Sequence, residues 1–312
     1  MESKKELIKV WPRVDLTKET YMTRVTGPRG GMRGYEREGV EGTYPSVTTV
    51  LSTINKPALP NWYAKKVAEK AGELISDIDQ RQACLDEYEL TNFMQTIKSA
   101  PSESFKESGD IGNQVHDLIN KSIRYKMNNP YTSWDETGYE FKKDLVSIEV
   151  DTAFNNWLSW IKTMPRDLTF LETEFATYLD RDEGPQYAGT VDAVASIGGK
   201  LVVFDWKTSN SVYKEAAYQV AAYCYSIWAS GISPFDSKND QGWSIRTAFN
   251  SLNNLYSGIT GMVVRLDKTD SNKYEMYQLE SWEEIARTFK IVLDLYNALK
   301  SPVYVGNKNG KS

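Results

Sequence analysis

Two aspartates and a lysine stand where a tight hairpin would bring them together: Asp192 in Gly189-Thr190-Val191-Asp192, then Asp205 and Lys207 in Asp205-Trp206-Lys207. Counted outward from a turn at Gly198-Gly199, Ile197 pairs with Lys200, Asp192 with Asp205, and Thr190 with Lys207. Directly paired strand residues have Cβ atoms roughly 4.5–5.5 Å apart, and two carboxylates at that distance repel unless positive charge lies between them. A divalent cation would supply it. Hard oxygen ligands without a thiolate cluster favour Mg²⁺ or Mn²⁺ over zinc. The competing reading is a solvated Asp-x-Lys on an edge strand.

The elements that must position these groups are legible nearby. Thr190 to Ile197 is rich in strand formers, the two glycines suit positive φ in a two-residue turn, and Leu201 to Phe204 resumes as a strand. Side chains alternate, so Asp205 and Lys207 project one way and Phe204 and Trp206 the other, into a core. Thr208-Ser209-Asn210 follows as a capping loop, and 212–230 reads as a helix with Gln219 and Tyr223 on one face. Upstream, 103–125 reads as a helix carrying Gly109, Gly112 and the single histidine, His116. The glycines there would let another backbone approach closely. Between them 168–179 alternates as a strand with Glu172 and Glu174 on one side. Later strands are expected at 261–266 and 274–279, and a closing amphipathic helix at 282–299.

In this order, Gly112 to His116, Gly189 to Asp192, Asp205 to Lys207 and Gln219 to Tyr223 resemble the four marks of the RecB-like branch of the PD-(D/E)XK nuclease superfamily. Val191 replaces the proline of the superfamily's name. The stretches 44–51 and 204–209 look most like the mitochondrial genome maintenance exonuclease and its bacteriophage relatives. The resemblance implies an α/β restriction-endonuclease-like core, a mixed central sheet flanked by helices, with a helical N-terminal elaboration. It divides the chain into an N-terminal arm and elaboration, 1–103, and a nuclease core, 104–312.

It also implies roles. Asp192, Asp205, the Trp206 carbonyl and His116 would hold the metal, Lys207 would orient and polarise the attacking water, and Glu174 would be an auxiliary acid. Gln219 and Tyr223 would organise the site. Ordinary alternatives stay open: a structural histidine at 116, a surface glutamate at 174, and core packing for Tyr223.

The 312 residues carry 37 Lys and Arg against 42 Asp and Glu, a net charge of −5, which argues against a broadly basic coat but not a local basic groove. Tyr21 to Arg37 holds Arg24, Arg29, Arg33 and Arg37 among glycines, suited to a mobile arm gripping phosphates or else to a solvated hairpin. Ser46 caps a short helix, and Trp62 with Lys65 and Lys66 suits a single-strand groove, although Trp62 is equally read as a core anchor. The candidate DNA contacts are Arg33, Trp62 and Lys65, together with Ser46 and Thr208 from the two stretches that carry the resemblance.

Two cysteines, Cys84 and Cys224, are too few for an iron–sulfur cluster and suit a reducing compartment. No apolar run approaches a membrane span, and the charged Met1 to Glu6 resembles neither a secretory nor a transit signal. Taken with this, the resemblance implies a cytoplasmic enzyme of a bacterial or phage-infected cell: a metal-dependent exonuclease on single-stranded DNA with a free end, leaving 5′-phosphates. A flap endonuclease and a catalytically silent DNA-binding module are the rivals.

Overall fold

A computed structural model describes residues 6–10, 21–26, 33–77, 87–142, 147–181, 184–229 and 258–300. Arg29, Cys84 and the tail Gly306 to Ser312 lie outside these. In chain order come β1 (Glu6–Lys9), β2 (Tyr21–Thr26), β3 (Arg33–Arg37) and β4 (Tyr44–Pro45), then α1 (Val47–Leu51), α2 (Ala58–Ser76), α3 (Glu87–Asn128), α4 (Trp134–Lys142) and α5 (Ile148–Ile161). The chain continues with β5 (Thr169–Arg181), β6 (Gly184–Ile197), β7 (Lys200–Lys207), α6 (Lys214–Ala229), β8 (Ile259–Leu266), β9 (Tyr274–Gln278) and α7 (Trp282–Lys300). Two compact units result, one of Met1–Ile54 with His116–Ser312 and one of Asn55–Val115.

The larger unit is built on a mixed sheet in the order β5-β6-β7-β8-β9, antiparallel throughout except for the parallel pair β7 and β8. Gly198 and Gly199 turn β6 into β7 at φ 57° and 72°, the left-handed values a tight hairpin needs, and Ile197 pairs with Lys200 as counted from sequence. The ladder then stops at Ala193 and Phe204. The next pair would be Asp192 and Asp205, but the Asp192 side chain takes the Trp206 N–H instead, Oδ2 at 2.7 Å, so the strands part there.

Helices cover both faces. Phe204 and Trp206 stack and meet Trp160 edge-on at 5.6 and 5.2 Å between ring centroids, so alternation along β7 delivers its even residues to α5. Val203 belongs to the opposite core, with Val191, Val194 and the α6 residues Val220, Ala221 and Tyr223, closed by Phe289 and Leu293 of α7. Asp205 and Lys207 share the parity of Val203 and so face α6.

Ahead of the helical elaboration lies an element absent from the sequence reading. β1 to β4 form a four-stranded antiparallel sheet with its own small core of Ile8, Met22, Tyr35 and Tyr44. The segment read as a mobile arm is, in its described part, the β2–β3 hairpin, in which Arg24 pairs with Tyr35. Bridges from Val10 to Ala176 and from Ser46 to Ala188, with an Arg37–Asp180 ion pair of 2.8 Å, tie this sheet to β5 and β6.

In the smaller unit α2 buries none of its residues, so Trp62 is not the core anchor considered above; it is half-buried, edge-on to Tyr63 at 5.3 Å. A Cβ on exposed Gly109 would meet no described atom, so that glycine does not serve the expected close approach. No helix among the described residues is long and apolar enough to cross a membrane.

Candidate active site

Where β6 and β7 part, the side chains fall into two linked groups. In the first, His116 in the C-terminal third of α3 sets Nδ1 3.3 Å from Asp192 Oδ1 and Nε2 3.0 Å from the Trp206 carbonyl oxygen. A carbonyl only accepts, so Nε2 carries the proton. Burial alone would lower the imidazole pKa, but the Asp192 carboxylate beside it prevails and lifts it to about 9. Burial pushes Asp192 the other way, up, yet His116, Lys207 and the Trp206 N–H together hold it below the usual carboxylate range.

Glu174 completes this group. Its ligand atom, one nitrogen of His116 and one oxygen of Asp192 all lie within 4.8 Å of one another. It reaches them by an unusual route. A register shift between Phe170 and Glu172 bends β5, and Glu174, flanked by the pairs Thr173–Ala193 and Phe175–Val191, sits opposite Asp192 with φ 48°. Such a value in a non-glycine residue costs about 1–3 kcal/mol and persists only where surroundings impose it. Those surroundings are specific. Thr173 donates its hydroxyl to the Asp192 carbonyl at 2.7 Å, its own carbonyl accepts from Arg124 at 2.8 Å, and its N–H goes to Glu172 at 3.1 Å. Glu172 is held in turn by Lys9 at 3.2 Å, so the two glutamates of this strand have separate duties.

Replacing Glu174 with glycine removes the Cβ that makes this conformation costly. Chemical denaturation is expected to show a folded state more stable by up to about 1 kcal/mol, with activity lost. Glu174→Gln, which keeps the conformation, should lose activity without that gain.

The second group is built on Asp205. Its carboxylate is buried, with Oδ2 2.7 Å from Lys207 Nζ, and that oxygen accepts no well-aligned hydrogen bond. Burial raises Asp205 to about 6 despite the lysine. Burial works to lower Lys207, and the two aspartates overcome it and raise its pKa. Lys207 also donates to Gln219 Oε1 at 3.2 Å, and Gln219 passes its amide to the buried Tyr223 hydroxyl at 3.0 Å. The spacing of four on α6 thus aims one polar chain at the lysine.

Tyr223 explains the glycine of the second motif. A Cβ on Gly189 would lie 2.4 Å from Tyr223 Cε1, so the strand can pass over the ring only if residue 189 has no side chain. Tyr223 is both core and site, and the two readings of it merge.

The donor set, one imidazole and the carboxylates of Glu174, Asp192 and Asp205, fits a hard divalent cation. With Nε2 bonded to a backbone carbonyl, as the non-ligating nitrogen of a metal-binding histidine usually is, Nδ1 is the ligand atom on offer, once it gives up the proton it shares with Asp192. The Trp206 carbonyl, read as a ligand, is here the partner of His116. Asp205 is not in the tight three-residue group and has Lys207 beside it.

Among the candidate DNA contacts, Thr208 is half-buried at the end of β7, and Arg33 is exposed. Ser46 is buried as the cap of α1, its hydroxyl accepting from the Thr49 N–H at 3.0 Å. Lys65 lies in the smaller unit with Glu69 at 3.7 Å. Arg24 and Tyr35, read from sequence only as members of the Tyr21–Arg37 arm and not as individual contacts, have side chains that reach Thr190, two positions before Asp192. Pairing the hairpin Tyr21–Arg37 would have put them side by side.

Comparison with known proteins gives three results. The family model described as the PD-(D/E)XK nuclease superfamily matches residues 75–295. Curated proteins give no match. The solved structure "Crystal structure of SSO0001" is similar at 16% identity, over 61% of this chain and 77% of that one, with a TM-score of 0.26, too low to bear on the fold.

Proposed function

We propose, since this chain belongs to the PD-(D/E)XK nuclease superfamily, that it is a metal-dependent deoxyribonuclease of the RecB-like kind, hydrolysing single-stranded DNA from a free end and leaving 5′-phosphates in DNA replication, recombination or repair. The observation that carries the reading is the meeting of Asp192, Asp205 and Lys207 at the point where β6 and β7 part, with Gln219 and Tyr223 behind the lysine.

Held by Asp192, Asp205, Glu174 and His116, a divalent cation would supply charge that neutralises the scissile phosphate and lowers the pKa of a water. The chain's own residues do the rest. Lys207 is kept charged by Asp205, which takes one of its three N–H groups, so its ammonium can hold the attacking water with the one left over and offset by its charge the negative charge that grows on phosphorus-bound oxygen. Gln219 takes a second N–H and so fixes the direction of the remaining one. Through Nε2 His116 grips the Trp206 carbonyl, which fixes the β7 backbone between Asp205 and Lys207 next to Asp192.

The test is digestion of end-labelled linear and covalently closed circular single-stranded DNA in Mg²⁺, with a chelator control and Asp205→Asn. Loss of the linear strand alone, stopped by both controls, is the expected result. Cutting of circles would make it an endonuclease, and cleavage that survives Asp205→Asn would remove the site assignment.

A further inference from the structure

We propose that Arg24, on the N-terminal sheet, binds a backbone phosphate of the substrate strand beside the one being cleaved, so that this sheet is part of the nucleic-acid groove. The inference rests on the nuclease reading above and names a substrate contact for it.

The geometry starts at Thr190. It lies two residues before Asp192 on β6 and shares its face, a displacement of about 6.6 Å along the strand. Its hydroxyl oxygen accepts from Arg24 Nη2 at 2.7 Å and lies 2.9 Å from the Tyr35 hydroxyl. Arg24 and Tyr35 are cross-strand partners in the β2–β3 hairpin, so one register places both. The β6–β7 ladder has ended by Ala193, so no β7 backbone is paired to β6 beside Thr190 and Asp192.

Charge gives the placement its meaning. Three carboxylates converge at the proposed reaction centre, and a polyanionic strand can approach only where cations offset them. Lys207 does so at the scissile position. A guanidinium next along the same strand face does so for the neighbouring phosphate, with planar N–H geometry suited to phosphate oxygens. Arg24 is half-buried and mounted on a sheet that two β-bridges and the Arg37–Asp180 ion pair tie to β5 and β6. A cation held this way loses little freedom when it meets the strand, unlike one on a loose arm.

The experiment measures binding of a fluorescent 20-nucleotide oligothymidylate to the full chain in chelator across a salt series, followed by steady-state cleavage in Mg²⁺. Arg24→Gln is expected to weaken binding about tenfold at low salt and to reduce the slope of log K against log salt by about 0.7, one phosphate contact on a single strand. KM should rise with kcat within about threefold. Arg24→Lys should keep the slope, and Thr190→Val, which removes the anchoring hydroxyl but no charge, should leave it unchanged.

A wild-type slope in Arg24→Gln overturns the proposal. So does equal weakening by Arg24→Gln and Thr190→Val without a change in slope, since Arg24 would then only support Thr190. A wild-type protein that binds with an Arg24-dependent slope yet never cleaves would sink the nuclease reading and leave the phosphate contact standing. Cleavage with a slope indifferent to Arg24 would do the reverse.

Discussion

Lys207→Met is expected to lower cleavage by roughly 10³-fold or more, because in the proposed mechanism the lysine both orients the water and helps meet the transition-state charge. The same change should reveal what the lysine does for the fold. Asp205 is buried, and its carboxylate lies 2.7 Å from Lys207. Without the ammonium an ionised Asp205 has no adjacent countercharge, a situation that costs about 2–4 kcal/mol for a pair whose lysine is partly exposed.

The protein can avoid that cost by keeping the acid protonated, which makes the deficit pH-dependent. Burial already raises Asp205 to about 6 in the native protein, above its unfolded value, so this group weakens stability as pH rises through that range. Loss of Lys207 pushes the folded pKa higher still. In chelator, then, Lys207→Met and the native protein should have similar stabilities at pH 5, and the gap should open as pH climbs above about 6. Adding Asp205→Asn to the variant should close the gap at pH 8 without restoring cleavage, since a neutral pair needs no countercharge. Urea denaturation of the three proteins at pH 5 and pH 8 reads this directly; a pH-independent gap would mean that packing of the lysine stem, not charge, is what was lost.

Gly189→Ala is the second large effect, expected to destabilise by about 1–3 kcal/mol through overpacking and to cost activity as well. The backbone at Gly189 is not in the left-handed region, so glycine is required here by space rather than by conformation. The added methyl would meet Tyr223 Cε1 at 2.4 Å and Cζ at 3.1 Å, and the ring is walled in by the core it shares with Val191, Val220 and Ala222. If the ring moves, its hydroxyl leaves Gln219, and Gln219 no longer directs Lys207. A double change, Gly189→Ala with Tyr223→Leu, separates the two consequences. Relative to Tyr223→Leu alone the methyl should then cost little stability, while activity stays low because Gln219 has lost its acceptor. If Gly189→Ala were as costly without the ring as with it, the contact with Tyr223 would not be the reason for the glycine.

This coupling shows how far separate motifs can be read. Gly189 to Asp192 and Gln219 to Tyr223 were recognisable as two short patterns, and the helix spacing correctly placed Gln219 and Tyr223 on one face. That they are one device, a strand lying on a ring whose hydroxyl steadies an amide, needed the packing of α6 on β6. The hairpin was more transparent. Two glycines at φ 57° and 72°, apolar strands on either side and a strict alternation are local properties, so the pairing of Ile197 with Lys200 and the division of Asp205 and Lys207 from Phe204 and Trp206 could be counted from the turn.

By itself the sequence determined the hairpin, the helices on either side, the acids and lysine that meet between them, and hence the family. Only the tertiary structure decided which acid goes with which partner: Asp192 with His116, Asp205 with Lys207, and Glu174 brought to His116 and Asp192 while Glu172 is taken up by Lys9. It also decided that the described part of an arginine-bearing segment is a pair of strands whose Arg24 reaches Thr190, 166 residues away in the chain. The reason is physical. Turn geometry and side-chain alternation are set by neighbouring residues, whereas carboxylates of the same type differ only in what distant chain folds against them, and a bulge or one positive φ is enough to redirect a side chain that periodicity had aimed elsewhere.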